Sequence, residues 1–298
     1  MIEALTHCEL CPRRCGVNRY ERPGVCGAGA EVTVAKAFLH RWEEPCISGT
    51  HGSGTVFFTG CNLRCLYCQN YPISHGQVGR AISIERLATI FLELQEQGAH
   101  NVNLVTPTPY TPHIAAAIEH ARRQGLRLPV IHNNGGYESV AALRQLAGLV
   151  DVYLPDLKYF DAGLSRRWSG ASDYFARASE AILEMLDQVG EPVFDADGLL
   201  VRGVMIRHLV LPGAGDDSRR IVDWVLDTLP ATIYLNLMSQ YTPLGRGAEY
   251  PDLSARLSPD EYDAVVEYAI QRGLENGFIQ EMDSASSDYV PDFDLEGV

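Results

Sequence analysis

The chain has 298 residues, 46% hydrophobic and 21% charged, with a formal net charge of −14. So acidic a balance argues against a nucleic-acid partner, which needs lysines and arginines to neutralise phosphates, and no apolar run approaches the roughly 18 residues of a membrane span. The eight cysteines, with no basic-then-apolar leader ahead of them, read as metal or redox ligands of a cytoplasmic protein and not as disulfides.

Residues 1–50 come first, with five of the eight cysteines and little periodicity. Cys8, Cys11, Cys15 and Cys26 are separated by two, three and ten residues. Four thiolates fill a tetrahedral zinc site, and the Cys-Gly pairs at 15–16 and 26–27 suit zinc-knuckle turns. Three cysteines so close together equally suit an auxiliary iron–sulfur cluster, whose full complement is four ligands. Arg13, Arg14, Arg19 and Arg22 lie among them and read as a solvated basic rim, with a docking patch for an acidic partner as the alternative. Cys46 stands alone and reads as buried, a hydrogen-atom donor being the sharper alternative.

From residue 51 onward, strand-like and helix-like stretches alternate. Strands are predicted at 55–59, 101–106, 129–133, 150–157, 201–211 and 232–238, each rich in Val, Ile, Leu, Phe or Tyr. Helices are predicted at 83–97, 112–124, 137–149, 174–189, 216–229 and 258–272. Ser83 and the Ser258-Pro259 pair mark helix starts, and Gly98, Gly125 and Gly273 mark stops. Residues 191–198 read as a turn or hairpin ahead of the fifth strand.

Six strand–helix units imply a parallel sheet with right-handed crossovers, as a doubly wound sheet or a partial (β/α) barrel. The doubly wound nucleotide-binding version needs G-x-G-x-x-G after the first strand, where this chain carries cysteines. In both architectures the ligand site lies at the C-terminal strand ends. The expected organisation is a cysteine-rich metal-binding segment at 1–50, the barrel at 51–280 and an acidic tail at 281–298, flexible or lying as a lid.

The densest chemistry follows the first predicted strand, in Thr59-Gly60-Cys61-Asn62-Leu63-Arg64-Cys65-Leu66-Tyr67-Cys68-Gln69-Asn70. Its C-x3-C-x2-C spacing puts three thiolates on one tight loop, where the paired C-x2-C units of zinc sites are absent. Three thiolates leave one iron of a four-iron cluster open to another ligand. With the preceding strand, Asn62 and the aromatic Tyr67, the stretch resembles the signature of the radical S-adenosylmethionine (SAM) superfamily. Gly49 to Thr55, Asp156-Leu157-Lys158, Arg207 to Gly213 with Asp216-Asp217-Ser218, and Gln240-Tyr241 extend the likeness to homologues of pyruvate formate-lyase activating enzyme, a glycyl-radical-enzyme activase. Among these it most resembles the uncharacterised branch with a cysteine-rich N-terminus.

That resemblance implies a partial (β/α)6 TIM-type barrel, with a [4Fe-4S] cluster on Cys61, Cys65 and Cys68. It implies SAM bound through Asp156, Lys158, Arg207 and His208, with the backbone around Tyr67 near the adenine. Thr106 and Thr108 stand where the superfamily usually carries Gly-Gly-Glu, and Asn133 ends a strand where activases carry an acidic residue. The implied activity is reductive SAM cleavage to a 5′-deoxyadenosyl radical that abstracts hydrogen from a protein, peptide or small molecule. The implied electron donor is a flavodoxin or ferredoxin. From the residues alone, Asp156 and Lys158 also fit a strand-end ion pair, and His132 and His208 also fit satisfied core histidines. A competing reading of another class is a non-catalytic zinc or iron–sulfur scaffold.

Overall fold

The computed structural model describes residues 1–284 and 290–298, with the side chain of Ser284 left out; Asp288 of the acidic tail lies outside the described residues. The strands in chain order are β1 (Val32–His40), β2 (Ser53–Phe58), β3 (Arg80–Ile82), β4 (Val102–Val105), β5 (Val130–Asn134), β6 (Val152–Pro155), β7 (Val193–Phe194), β8 (Leu200–Leu209) and β9 (Tyr234–Met238). They form one sheet in the order β3-β1-β2-β4-β5-β6-β8, where β8 pairs with both β7 and β9. Strands β2, β4, β5, β6, β8 and β9 are parallel and correspond to the six predicted strands. Every residue of β2, β4, β5 and β6 is buried, as parallel strands covered on both faces require.

The helices are α1 (Pro45–Ser48), α2 (Tyr71–Ser74), α3 (Ile84–Glu96), α4 (Thr111–Arg123), α5 (Val140–Leu143), α6 (Ala162–Ser169), α7 (Tyr174–Val189), α8 (Gly215–Thr228) and α9 (Pro259–Gln271). Helix α3 starts where Ser83 Oγ accepts from the Arg86 amide at 3.1 Å. Helix α9 starts where Ser258 Oγ accepts from the Glu261 amide at 3.3 Å. Caps of this kind contribute about 1 kcal/mol each. The mixed α/β architecture with its run of six parallel strands agrees with a partial barrel of the expected kind.

The structure corrects the sequence reading in three places. The helix expected at 137–149 is only the single turn of α5 followed by a 3-10 turn at Arg144–Leu146. The chain before it is spent on a tight bend in which Asn134 Oδ1 accepts from the Gly136 amide at 2.8 Å. Helix α6 was not foreseen: its eight residues give too short a window for periodicity, although Asp161 caps it by accepting from the Gly163 and Leu164 amides. Strand β1 was also missed, lying inside the range read as a cysteine-rich segment. It pairs with β2 along its length, with a register shift between Val34 and Lys36 that obscures its alternation.

Segments outside the named strands pair with β1 near one side of the sheet and with β9 on the other, which shortens the open pairing surface. On one side the Leu295 amide donates to Ala35 O, and the Ala37 amide to Glu296 O. Lys36 ties this contact down with ion pairs to Asp294 and Glu296, both 3.0 Å. On the other side, Leu235 and Leu237 donate to Asn276 and Phe278. Among the described residues, no helix is long and apolar enough to cross a membrane.

Candidate active site

Strand β2 hands the chain to Gly60, whose φ of +95° belongs to the glycine-favoured region and whose Cβ, if present, would lie 2.9 Å from Cys26 O. The Cys61 amide then donates to that same Cys26 oxygen at 3.0 Å. Further anchors fix the loop from several sides. The Leu66 amide donates to Trp168 O at 2.9 Å and Cys68 to Cys65 O at 3.1 Å. Asn62 Nδ2 donates to Tyr137 O at 2.6 Å. Ser169 Oγ donates to Cys65 Sγ at 2.9 Å, and Tyr159 links Ser169 to Tyr67 through hydroxyl contacts of 2.7 Å each.

Cys61, Cys65 and Cys68 all border a cavity of about 190 Å³ that is open to solvent at its mouth. Burial pushes the Cys61 thiol up to about 12 and raises Cys68 as well. Such thiols become thiolates when a metal supplies the compensating positive charge.

The same cavity wall carries a connected set of charges. Lys158 Nζ lies 2.7 Å from Asp156 Oδ2, and Arg207 Nε lies 2.9 Å from Asp156 Oδ1. The Arg207 guanidinium also donates to Asn133 Oδ1 at 2.6 Å and to Glu43 Oε2 at 3.2 Å. Burial works against the charged form of Asp156, but Lys158 and Arg207 outweigh it and hold the carboxyl below its ordinary value. Glu43 goes the other way: burial raises it, and Arg207 only partly offsets that. Lys158 is held charged by Asp156 despite its burial, with Cys65 and Cys68 adding to the effect. Asn70 and Thr242, two residues of this cavity wall, carry side-chain oxygens Oδ1 and Oγ1 that are buried without a hydrogen-bond partner among the described residues. Orphaned acceptors of this kind normally cost stability, so they mark places for a polar ligand or water. Three thiols and a set of paired charges on one cavity wall fit an iron–sulfur cluster with a charged cofactor beside it.

Of the predicted contacts, Tyr67, Thr106, Asn133, Asp156, Lys158 and Arg207 border this cavity together with the three cysteines. Thr106 adopts a φ of +59°, the region a glycine occupies without strain. Thr108 and His208 are not part of the cavity wall. Thr108 turns away to donate to Glu138. Burial raises that carboxyl to about 8, and the Thr108 hydrogen bond only partly offsets this. His208 is a core residue, its ring nitrogens bonded to Leu157 O at 2.7 Å and Ser218 Oγ at 2.8 Å. His132 is likewise fully buried off the cavity and packs on Tyr153. Cys46 is buried among Ile131, Val152 and Leu200. Glu43 was missed: nothing in Trp42-Glu43-Glu44-Pro45 signals that its side chain meets Arg207 inside the barrel.

The N-terminal cysteines sit apart from this cavity. Cys8, Cys11, Cys15 and Cys26 line a second, small space, walled also by Arg13, Arg19 and Asn62. Among the described residues, no three His, Cys, Asp or Glu side chains are gathered closely enough to hold a single metal ion.

The family profile described as "Radical SAM superfamily" matches residues 55–225, more than half of the chain. Two proteins of Methanocaldococcus jannaschii are similar to this one. "Uncharacterized protein MJ0674" is 30% identical over 279 residues, spanning 90% of this chain and 76% of its own. "Uncharacterized protein MJ0808" is 23% identical over 298 residues, spanning 91% and 78%. A solved structure of methylornithine synthase (PylB) overlaps 79% of this chain and 74% of its own, at 14% identity and a TM-score of 0.47.

Proposed function

This chain belongs to the radical SAM superfamily, and from that premise we propose that it cleaves SAM reductively and takes hydrogen from a substrate held in the cavity at the strand ends. The observation that carries this reading is the opening of Cys61, Cys65 and Cys68 onto the same cavity as Asp156, Lys158 and Arg207. A [4Fe-4S] cluster on the three cysteines would supply one electron to bound SAM, giving methionine and a 5′-deoxyadenosyl radical.

This chain's own residues bind, orient and exclude. Asn70 Oδ1 and Thr242 Oγ1, buried without partners, accept hydrogen bonds from the cofactor's donors. The Lys158 ammonium, on the cysteine side of Asp156, meets a carboxylate. Asp156 keeps Lys158 and Arg207 charged and aimed, and Arg207 holds Asn133 and Glu43 in place. The cofactor role of Tyr67 is to support the adenine side of the loop through its backbone, its hydroxyl being already spent on Tyr159. The electron comes from a low-potential donor of the flavodoxin or ferredoxin class.

The same reading extends to a glycyl-radical activase on one feature, the Asp156-x-Lys158 pair that resembles the activase element and lies on the cavity wall. Anaerobically reconstituted, reduced protein should convert SAM to 5′-deoxyadenosine and methionine. A colourless protein that binds zinc at both cysteine groups would replace this reading with the scaffold.

A further inference from the structure

We propose that Cys8, Cys11, Cys15 and Cys26 hold a second, fully protein-ligated [4Fe-4S] cluster, and that it passes electrons to the cluster loop through the Cys26–Cys61 hydrogen bond. The four cysteines come from two short loops folded over a small core of Leu5 and Leu10, with Ile2, Val17 and Ala30 packed against it. Backbone bonds fix their geometry: Cys8 N to Val17 O at 2.9 Å, Gly16 N to Cys8 O and Arg14 N to Cys11 O at 3.0 Å each. The thiols of Cys15 and Cys26 converge beside Gly24, where an added Cβ would lie 3.5 and 3.3 Å from their sulfurs. Glycine there leaves room for what the sulfurs face.

What they face is one small space that all four line. A zinc ion bonded to four thiolates at about 2.3 Å draws the sulfurs into mutual contact. Here no three such side chains are gathered for one ion. Four thiols lining one common space supply the full ligand complement of a four-iron cluster, in which each iron takes one thiolate. Two arginines in the wall of that space supply compensating charge. Arg19 is 2% exposed, its guanidinium bonded to Gly29 O and to Pro109 O. Arg13 donates to Asn62 O and Ser169 O and lies over the Tyr137 ring. Buried cations are stable where anions face them.

The two sites touch. Cys26 O accepts from the Cys61 amide at 3.0 Å, and Asn62 borders both spaces. A ligand of one cluster is therefore one hydrogen bond from a ligand of the other. With four protein ligands the second cluster has no open iron, so its part is electron transfer. One electron enters from a low-potential one-electron donor, which is oxidised by one. The same electron leaves to the loop cluster, and no bond is made or broken. The relay rests on the reading above; the metal content of the cage does not.

The test uses the full-length chain reconstituted with iron and sulfide, and two multiple variants. Wild type should hold roughly eight irons, and Cys61→Ala/Cys65→Ala/Cys68→Ala roughly four, still giving the signal of a reduced four-iron cluster. Cys8→Ser/Cys11→Ser should also keep roughly four irons, now on the loop. If its N-terminal fold fails, the triple variant, with its cage intact, still decides the metal. Zinc without iron in the triple variant, or no metal at all, overturns the site. Fully reduced wild type should show magnetic interaction between the two clusters, absent from both variants. A wild-type spectrum equal to the sum of the two variant spectra overturns the relay. Loss of SAM cleavage alone, with these counts and couplings intact, would count against the proposed function and leave this inference standing.

Discussion

The loop of Cys61, Cys65 and Cys68 faces a cavity whose wall also carries Asp156, Lys158 and Arg207. Cys8, Cys11, Cys15 and Cys26 instead surround a small space closed by arginines and a loop core. The two sites lie one backbone hydrogen bond apart, so their difference is not one of location in the fold. It is one of ligand number and access. Three thiolates leave a coordination position that the cavity can fill with substrate or cofactor; four leave none, which suits storage or transfer of charge. The fold enforces the distinction, because the loop follows β2 into the strand-end cavity while the N-terminal segment packs on the flank of that loop.

The comparison is broken most severely by removing one loop thiol. Cys65→Ala should abolish 5′-deoxyadenosine release while the iron proposed for the N-terminal cysteines stays bound. Product analysis beside metal counting checks this, and retained cleavage would show that the loop is not the reactive site. Next in size is the charged wall. Asp156→Ala strips Lys158 and Arg207 of their shared partner and should weaken SAM binding by about one to two orders of magnitude, the equivalent of roughly 1.5–3 kcal/mol. The variant should also be less stable, since a largely buried pair loses one member. SAM affinity by calorimetry equal to wild type would reduce the Asp156–Lys158–Arg207 set to a structural network.

Thr108→Val sharpens the boundary between the two sites. The lost hydrogen bond to Glu138 should cost about 1–3 kcal/mol in denaturant titration. SAM affinity should stay within about twofold, less than the tenfold that 1.4 kcal/mol represents. A large affinity loss would return Thr108 to the cofactor site.

A further effect belongs to the scaffold that carries both sites and is read per pH unit. Burial holds His132 down to about 3, so it is neutral in the folded chain while the unfolded chain takes up a proton below about 6.5. Stability should therefore fall as pH drops from about 6.5 toward 3. His132→Phe should flatten that slope by up to about 1.4 kcal/mol per pH unit, read as urea midpoints against pH. An unchanged slope would place the acid sensitivity elsewhere.

Much of this was legible in the sequence, for definable reasons. The six parallel strands are apolar runs between punctuated helices, a pattern that depends only on burial and period. The cluster loop was legible because metal chemistry needs particular residues at particular spacing. Residues joined by the fold alone were not. Glu43 reaches Arg207 across more than 160 positions, a pairing no local window contains. Helix α6, which anchors the cluster loop through Trp168 O and Ser169 Oγ, is too short to show a period. Thr108 and His208 were placed by their nearness to strand ends. Which way a side chain turns there is decided by partners distant in sequence, Glu138 for one and Leu157 with Ser218 for the other.

The most direct test of the difference between the two sites is the electron paramagnetic resonance spectrum of the reduced protein with and without SAM. SAM should shift the signal of the cluster held by Cys61, Cys65 and Cys68, and the shift should vanish in Cys65→Ala. A spectrum that SAM leaves unaltered, or a shift that persists in Cys65→Ala, would contradict the assignment of the three-cysteine loop as the site where SAM binds.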